Sequence, residues 1–244
     1  MKFIQFLLSL IFLVIVGVVL YLGYLGFIPV LSSFMGADKP KDLGVRYTKK
    51  EYDTYIQKAQ TEVIPVREVK SPAESIVYSG KKDLKQSFTQ DEISARLNYA
   101  MWKYMPVANT QVRINSNGTV EFSGNVLMDR LPGFIQREGM GQYTMADVQK
   151  GLNYIKLLKV NPPVYVRFNG SVADNNLALS IQQIQVGKFN VPLDVVHANE
   201  TATSVYNSIV SKVSSLSVKS VTFSDSQMHF DGTVPEKMMV ETAE

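Results

Sequence analysis

The sequence predicts an α+β fold, with an N-terminal transmembrane helix followed by a curved antiparallel sheet with helices packed on one face. Runs of alternating apolar and polar residues recur through the second half of the chain, and amphipathic helical segments interrupt them. This order is typical of antiparallel sheets with helices beside them. The transmembrane helix is predicted from an uncharged apolar stretch at residues 6–28.

The apolar stretch from Phe6 to Ile28 is long enough to cross a membrane. No charged residue occurs between Lys2 and Asp38, and the polar side chains of the stretch are Ser9 and two tyrosines. A helix rises about 1.5 Å per residue, so this length matches a bilayer core of about 30 Å. A signal peptide has a shorter apolar region of about 7–15 residues, so we expect an uncleaved anchor. The absence of cysteine excludes a lipoprotein anchor.

The orientation of the anchor does not follow from its flanking charges. Basic residues from Lys39 to Lys50 follow the stretch, and only Lys2 precedes it. The positive-inside rule read literally favours a cytoplasmic domain, but long domains translocate largely regardless of charge. The remaining chain is rich in Ser, Thr and Asn and lacks cysteine, which is typical of bacterial envelope proteins. We predict a single-pass protein of the cell membrane with a cytoplasmic N-terminus and an extracytoplasmic C-terminal domain.

The part of the chain next to the anchor is predicted to be a stalk with one short helix. Thr48 and Glu51 have the spacing of a capping box, and apolar residues at helical spacing follow them. Val63–Val69 is predicted as an edge strand and Ser71–Gln86 mostly as loop. The predicted divisions are an anchor at 1–30, the stalk at 31–87, an α+β globular domain at 88–236 and a tail at 237–244.

Local signals define the start of the globular domain. Thr89 and Glu92 form a second capping box, and Phe88 before it can pack one turn into the helix as a hydrophobic staple. Apolar residues at helical spacing continue until Pro106, which is expected to end the helix. A period of two then replaces the helical spacing and predicts a β-hairpin with its turn at 115–118.

The rest of the domain continues this alternation of helices and hairpins. A second helix is predicted at about 144–155, followed by two strands around a turn at 169–170. A change of phase near Ile184 predicts a bulge in the second of these strands. A third helix at about 200–215 precedes a last hairpin, which is expected to end at Gly232.

The sequence contains no recognisable catalytic motif. Its net charge is +3 and its basic residues are scattered, which predicts no nucleic-acid binding. GxSxG, GxGxxG, P-loop, HExxH and EF-hand motifs are all missing. His229 and Asp231, two apart on a predicted strand, would point to one face and could bind a metal with Asp225 as a third ligand. We favour a solvated polar face instead, because two ligands without a third and a second shell do not make a metal site. We expect no enzymatic activity, no catalytic residue, no metal and no cofactor.

Apolar segments of the domain suggest a ligand groove. Leu131–Ile135 is either a loop whose side chains enter the core or a mobile flap over an apolar cleft. Met101 and Trp102, at the end of the first helix of the domain, are either core or part of the same cleft. The residues predicted to line the groove are Leu97, Met101, Trp102, Leu131, Phe134, Ile135, Phe168 and Phe189.

A resemblance of pattern covers roughly residues 88–196 and the anchor. The run FTQDEISARLNYAM from Phe88, and the strand LALSI from Leu177 that leads to VGKFNVP, resemble segments of the YpmS-like bacterial envelope proteins. The pattern is also similar to that of the tubular lipid-binding (BPI-like) superfamily. The resemblance implies an N-terminal transmembrane helix, an extracytoplasmic domain, a long helix in a curved antiparallel sheet and lipid in the groove. It implies no catalytic residues.

Two functions are compatible with these features. The first is a membrane-anchored, extracytoplasmic, non-catalytic domain that binds a lipid or other amphiphile in an apolar groove. The second is a structural or assembly protein of the cell envelope that binds a protein partner. The expected partners are therefore the lipid bilayer, a lipid or amphiphile ligand, or an envelope protein, and nucleic acid is not expected.

Overall fold

The computed structural model describes residues 2–26, 28–34, 36–138, 161–194 and 197–242. These residues form an α+β fold, in which a curled antiparallel sheet makes a half-barrel and a smaller sheet lies beside it. The predicted α+β class and curved antiparallel sheet are therefore confirmed. The helices of the described residues are α1 (Lys2–Leu25), α2 (Pro29–Phe34), α3 (Lys49–Ala59), α4 (Gln90–Asn98), α5 (Leu131–Glu138) and α6 (Ala198–Lys212).

The strands belong to two sheets. In the larger sheet the hydrogen-bonded order is β3-β10-β9-β6-β5-β4, and β7 pairs with β6 and β8; in the smaller sheet the order is β1-β11-β2. These strands are β1 (Glu62–Val66), β2 (Ile76–Ser79), β3 (Lys82–Thr89), β4 (Val107–Ile114), β5 (Thr119–Val126), β6 (Pro163–Ala173), β7 (Asn176–Val186), β8 (Phe189–Asn190), β9 (Ser217–Ser224), β10 (Gln227–Val234) and β11 (Lys237–Glu241).

The predicted anchor coincides with α1 and the start of α2. The helix α1 is continuous over 24 residues, and α2 folds back on its C-terminal end. The Ser32 hydroxyl donates to the Gly23 carbonyl at 2.9 Å, and a Cβ on Gly23 would lie 2.5 Å from the Cβ of Leu31. Within the described residues, no helix has both the length and the hydropathy that a membrane crossing requires.

The predicted stalk contains the helix that its capping box indicated. In α3 the Thr48 backbone N–H donates to Glu51 at 2.7 Å, and the Thr48 side chain accepts from the start of the helix, as a capping box requires. The predicted edge strand is also present, since β1 lies at one edge of the smaller sheet.

The prediction of loop for Ser71–Gln86 is wrong. A short 3₁₀ helix, β2 and most of β3 occupy this range. In β3 the side chains of Leu84 and Phe88 are buried while those of Asp83 and Lys85 are exposed. Because so few of its residues are apolar, pairing with β10, rather than the local pattern, determines this strand. The boundary predicted between residues 87 and 88 falls inside β3.

The C-terminal residues predicted as a tail include a central strand. β11 pairs in parallel with β1 and antiparallel with β2, so it joins two strands that lie far from it in the sequence. The strand β10 likewise runs past Gly232 to Val234. The end of β10 pairs with its hairpin partner β9 and with the distant strand β3, and β11 pairs with the distant strands β1 and β2, so the local pattern does not mark where either strand ends.

The capping box at Thr89 is confirmed, but the helix that it starts is shorter than predicted. The Thr89 hydroxyl accepts from the backbone N–H of Glu92, and Glu92 accepts from the backbone N–H of Thr89 at 3.0 Å. The helix α4 ends at Asn98 rather than near Pro106. Beyond the helix, Trp102 forms a β-bridge with Thr242, in the segment that follows β11.

The predicted hairpins are present, with one turn displaced. β4–β5 and β9–β10 form as expected. The turn between β6 and β7 lies at Asp174 and Asn175, not at 169–170, because Gly170 pairs with Leu179 inside the strands. The predicted bulge is confirmed by a register shift, in which Arg167 faces Gln183 and the next residue faces Ile181.

The remaining helical predictions have different outcomes. The segment Leu131–Ile135, expected to be a loop or flap, belongs to the helix α5. Its Gly133 fits against Tyr104, since a Cβ there would lie 2.1 Å from the tyrosine ring. The third predicted helix is α6. The helix predicted at 144–155 lies outside the described residues.

Candidate apolar groove

Two adjoining cavities lie between the helices α3 and α4, the smaller sheet and the β3–β10 edge of the larger sheet. Their volumes are about 270 and about 300 Å³. We call the pair the groove. Both cavities are lined by Tyr55, Val63, Arg96 and Met238, so these residues mark the place where they meet.

Aromatic and aliphatic side chains make most of the groove wall. The first cavity is lined in addition by Tyr52, Ile76, Tyr78, Leu97, Ala100, Met101, Trp102, Met105 and Val240. The second is lined in addition by Ile56, Ala59, Thr61, Leu84, Phe88, Leu216, Met228, Phe230, Val234 and Pro235.

The alternation of side chains along the smaller sheet gives it one face toward the groove. Successive residues of a strand point to opposite faces. Val63, Tyr78 and Met238 therefore face the groove from three adjacent strands. Their neighbours Val77 and Met239 point away from it and are 44% and 37% exposed.

The helix α3 brings an aromatic cluster to the middle of the groove. The ring of Tyr55 lies 4.6 Å from the ring of Phe88, measured between centroids. Burial raises the pKa of the Tyr55 phenol, and the positive charge of Arg96 acts against this shift. Burial also raises the pKa of Tyr78, with Arg137 and Arg96 among the charges that act on it. Both phenols therefore stay protonated near neutral pH and remain hydrogen-bond donors.

Among the residues that the structure describes, Arg96 is the only charged one that lines either cavity. It projects from α4 and is partly buried. Among the described residues, no hydrogen bond or ion pair joins its guanidinium to another group. Glu92, one turn earlier on the same helix, instead pairs with Lys58 at 2.8 Å. In the part of the chain that the structure describes, the groove thus combines mostly apolar walls with one positive charge that is not in an ion pair.

The structure brings three of the predicted groove residues to the cavity wall. Leu97, Met101 and Trp102 line the first cavity. The indole Nε1 of Trp102 donates to the Ser75 hydroxyl at 3.0 Å, which holds the ring in one orientation.

Three more predicted residues lie behind this wall on α5. The ring of Phe134 packs against the ring of Trp102 with their centroids 5.9 Å apart. Ile135 is buried, and neither it nor Leu131 lines the groove. α5 therefore supports the cavity wall from outside and does not cover it as a flap.

The last two predicted residues lie elsewhere. Phe168 packs at right angles on Phe223 in the core of the larger sheet, beside Val112, Ile114 and Val120. Phe189 belongs to the short strand β8 and is 40% exposed. Neither side chain lines the groove.

Sequence reasoning missed the groove residues that come from the predicted stalk and tail. Tyr55, Ile56 and Ala59 had a visible signal, because they lie on one face of an amphipathic helix. Met238 had none, since the run KMMVE has no clear period. Arg96 could not be distinguished from a solvent-exposed helix charge.

The candidate pair His229 and Asp231 lies in a polar depression outside the groove. His229 Nδ1 is 2.8 Å from the Ser87 hydroxyl, and its Nε2 is 3.0 Å from the Ser224 hydroxyl. Lys85 lies 3.5 Å from the Asp231 carboxylate. Within the residues that the structure describes, no group of three His, Asp or Glu side chains could hold a metal ion.

Comparison with known proteins adds nothing to this description. No protein family, no curated protein and no solved structure matches the chain. The groove is therefore interpreted from its own residues.

Proposed function

We propose that this chain is a membrane-anchored, extracytoplasmic, non-catalytic domain that binds a lipid or other amphiphile in the groove. The observation that carries the proposal is the groove itself, with adjoining cavities of about 270 and 300 Å³. Ligand sites are typically concave, mostly apolar and about 300–1,000 Å³ in volume. An alkyl chain buried there gains about 25 cal/mol for each Å² of apolar surface removed from water.

The apolar character of α1 supports the membrane anchor. Leu13, Ile15 and Leu20 are 68%, 55% and 45% exposed. A helix that is apolar on all sides is stable only where an apolar medium surrounds it. Residues 6–28 carry no charge, and their length suits a bilayer.

Contacts at the end of α1 suggest which side of the domain faces the membrane. The backbone N–H of Lys188 donates to the Leu25 carbonyl at 3.3 Å, and the Lys188 ammonium lies 4.6 Å above the Tyr24 ring. Lysine and tyrosine side chains are favoured at the membrane interface. The turn between β7 and β8 would therefore lie next to the bilayer.

The resemblance to YpmS-like proteins and the tubular lipid-binding superfamily favours the same function. The curled antiparallel sheet is one feature that this resemblance implies. Membership in either group stays a proposal.

Uptake of a fluorescent fatty acid by the detergent-purified full chain tests the proposal. Ala59→Trp places an indole in the second cavity and should weaken uptake at least tenfold. Ala178→Trp adds the same group at an exposed position of β7 and should leave uptake unchanged. Absence of uptake by the unmodified chain, with no lipid found by mass spectrometry of the purified protein, would refute the function.

A second candidate function rests on the outer face of the smaller sheet. Met239 pairs with Ile64 on one side and Val77 on the other, so three apolar side chains adjoin on this face. Exposed apolar neighbours of this kind are typical of protein-binding surfaces. This observation favours a structural or assembly protein of the envelope that binds a protein partner.

Cross-linking in cells separates the two functions. If a protein partner binds the outer face, Val77→Asp combined with Met239→Asp should remove a repeatable cross-linked species. The same variant should still take up fluorescent fatty acid, because both side chains point away from the groove. No repeatable cross-link in the unmodified chain would exclude the second function.

A further inference from the structure

We propose that the ligand of the groove is a single-chain amphiphile with one anionic headgroup, which pairs with Arg96. The inference rests on the proposed function and names the class of ligand for the same site. It is carried by the placement, between two mostly apolar cavities, of one guanidinium that has no hydrogen-bond or ion-pair partner among the described residues.

The position of Arg96 argues for an ionic partner supplied by the ligand. A partly buried guanidinium loses hydration and needs acceptors for its N–H groups. Other arginines of comparable or greater burial have such acceptors: Arg130 donates to the Met105 carbonyl, and Arg137 to the Ile76 carbonyl. Among the described residues, Arg96 has none.

The carboxylate best placed to pair with Arg96 is already engaged. Glu92 is four residues earlier, at a spacing that brings side chains together on a helix. It is 93% buried by side chain, pairs with Lys58 at 2.8 Å and accepts from the Thr89 backbone at 3.0 Å. These contacts stabilise the start of α4, so Glu92 cannot turn to Arg96 without losing them.

The surroundings of Arg96 suit an anionic headgroup. Its charge acts on the phenols of Tyr55 and Tyr78, which line the same part of the groove. A guanidinium binds carboxylate or phosphate oxygens through paired hydrogen bonds, and the phenols can add neutral donors. Because no second positive charge lines either cavity within the described residues, a headgroup with a single anionic group is the best match.

The shape of the groove argues for one alkyl chain. The two cavities extend in different directions from Arg96, toward Trp102 in one case and toward Phe230 in the other. Their volumes of about 270 and 300 Å³ suit one alkyl chain better than the two chains of a phospholipid. A single chain can occupy one cavity or fold across both, with its headgroup where they meet.

Calorimetric titration of the full chain with matched twelve-carbon amphiphiles tests the inference. The probes are dodecanoate, dodecyl phosphate, dodecanol and dodecylammonium, below their critical micelle concentrations. We expect at least one of the two anions to bind ten or more times tighter than dodecanol, as one charge-assisted hydrogen bond predicts. The tighter of the two anions identifies the headgroup.

Arg96→Gln should reduce the preference for the anionic probes over dodecanol to about twofold or less, while the affinity for dodecanol stays the same. Arg67→Gln, at an exposed residue outside both cavities, is the matched control and should keep the full preference. Arg96→Lys should restore part of it, because the charge is kept and the paired geometry is lost. Thermal unfolding of each variant shows whether it is folded.

The outcomes separate the inference from the function on which it rests. If dodecanol binds as tightly as both anions, or if Arg96→Gln keeps the anion preference, the inference is wrong and the proposed function stands. If dodecylammonium binds more tightly than both anions, the inference is also wrong. If none of the four probes binds the unmodified chain, both proposals fail.

Discussion

The side-chain amide of Asn98 pairs with the backbone of Thr110 as a neighbouring strand would. The Thr110 N–H donates to Asn98 Oδ1 at 2.8 Å, and Asn98 Nδ2 donates to the Thr110 carbonyl at 2.7 Å. Ser94 accepts from the Val112 N–H at 2.8 Å. An edge strand such as β4 exposes unpaired backbone groups that would otherwise need water or another chain. Side chains one turn apart on α4 satisfy them instead.

Asn98→Leu should destabilise the fold by about 2 kcal/mol, because it leaves one buried donor and one buried acceptor of Thr110 without partners. Urea unfolding followed by circular dichroism measures the loss. Asn176→Leu, at the exposed first residue of β7, should change stability by less than about 0.5 kcal/mol. If the two variants lose the same stability, the hydrogen bonds between the Asn98 amide and the Thr110 backbone do not stabilise the edge of the sheet.

Gly187→Ala should separate the end of α1 from the turn between β7 and β8. A Cβ on Gly187 would lie 1.9 Å from the Leu25 carbonyl oxygen. Gly44 is the matched control, because it also has a positive φ but has nothing within 4 Å of its Cβ position. Both substitutions carry the backbone cost of about 1 kcal/mol, and only Gly187→Ala adds the steric conflict. Faster amide hydrogen exchange at Lys188 in that variant alone is the expected result.

Ionisation of the Tyr165 phenol should lower the stability of the fold at alkaline pH. Burial, and then the hydrogen bond of 2.7 Å that it donates to Glu121, raise the pKa of Tyr165 to about 12. An unfolded chain ionises tyrosine near pH 10, so the folded state holds this proton longer. The stabilisation is complete below about pH 10 and disappears as the pH rises toward 12.

Unfolding at pH 8 to 11 compares the unmodified chain with Tyr165→Phe. The stability advantage of the unmodified chain should shrink steadily above about pH 10. A constant difference between the unmodified chain and Tyr165→Phe across this range would contradict the raised pKa.

Protonation of the Glu121 carboxylate should lower the stability of the fold at acidic pH. Burial works to raise its pKa, but hydrogen bonds from Tyr165 and Asn115, together with the charge of Lys41, outweigh burial and lower it. A lowered pKa stabilises the folded state above the unfolded value of about 4.3, and this contribution is lost as the pH falls below it. Glu121→Gln should therefore be less stable than the unmodified chain at pH 6 and close to it at pH 3.

Denaturant unfolding at pH 3 to 6 checks this prediction. Glu68→Gln, at an exposed carboxylate, is the control for the loss of one negative charge. If the gap between Glu121→Gln and the unmodified chain widens in acid, the direction of the shift is wrong.

The sequence by itself determined those elements whose signals are local. The capping boxes at Thr48 and Thr89 join residues three apart, so their helices begin where the sequence indicates. The hairpins β4–β5 and β9–β10 depend on alternation and a nearby turn, and they also form as expected. The uncharged stretch of residues 6–28 is a property of composition that needs no tertiary contact.

The groove could be recognised only from the tertiary structure. Its walls combine α3, α4, β2 and β11, which lie far apart in the sequence, and β11 is stabilised by partners about 160 or more positions earlier. The sequence marks Leu97 and Met101 as apolar residues of one helix face, but it cannot distinguish a cavity wall from a core. The charge of Arg96 likewise points to a ligand only in the folded chain. The fold surrounds Arg96 with apolar side chains and pairs its neighbour Glu92 with Lys58.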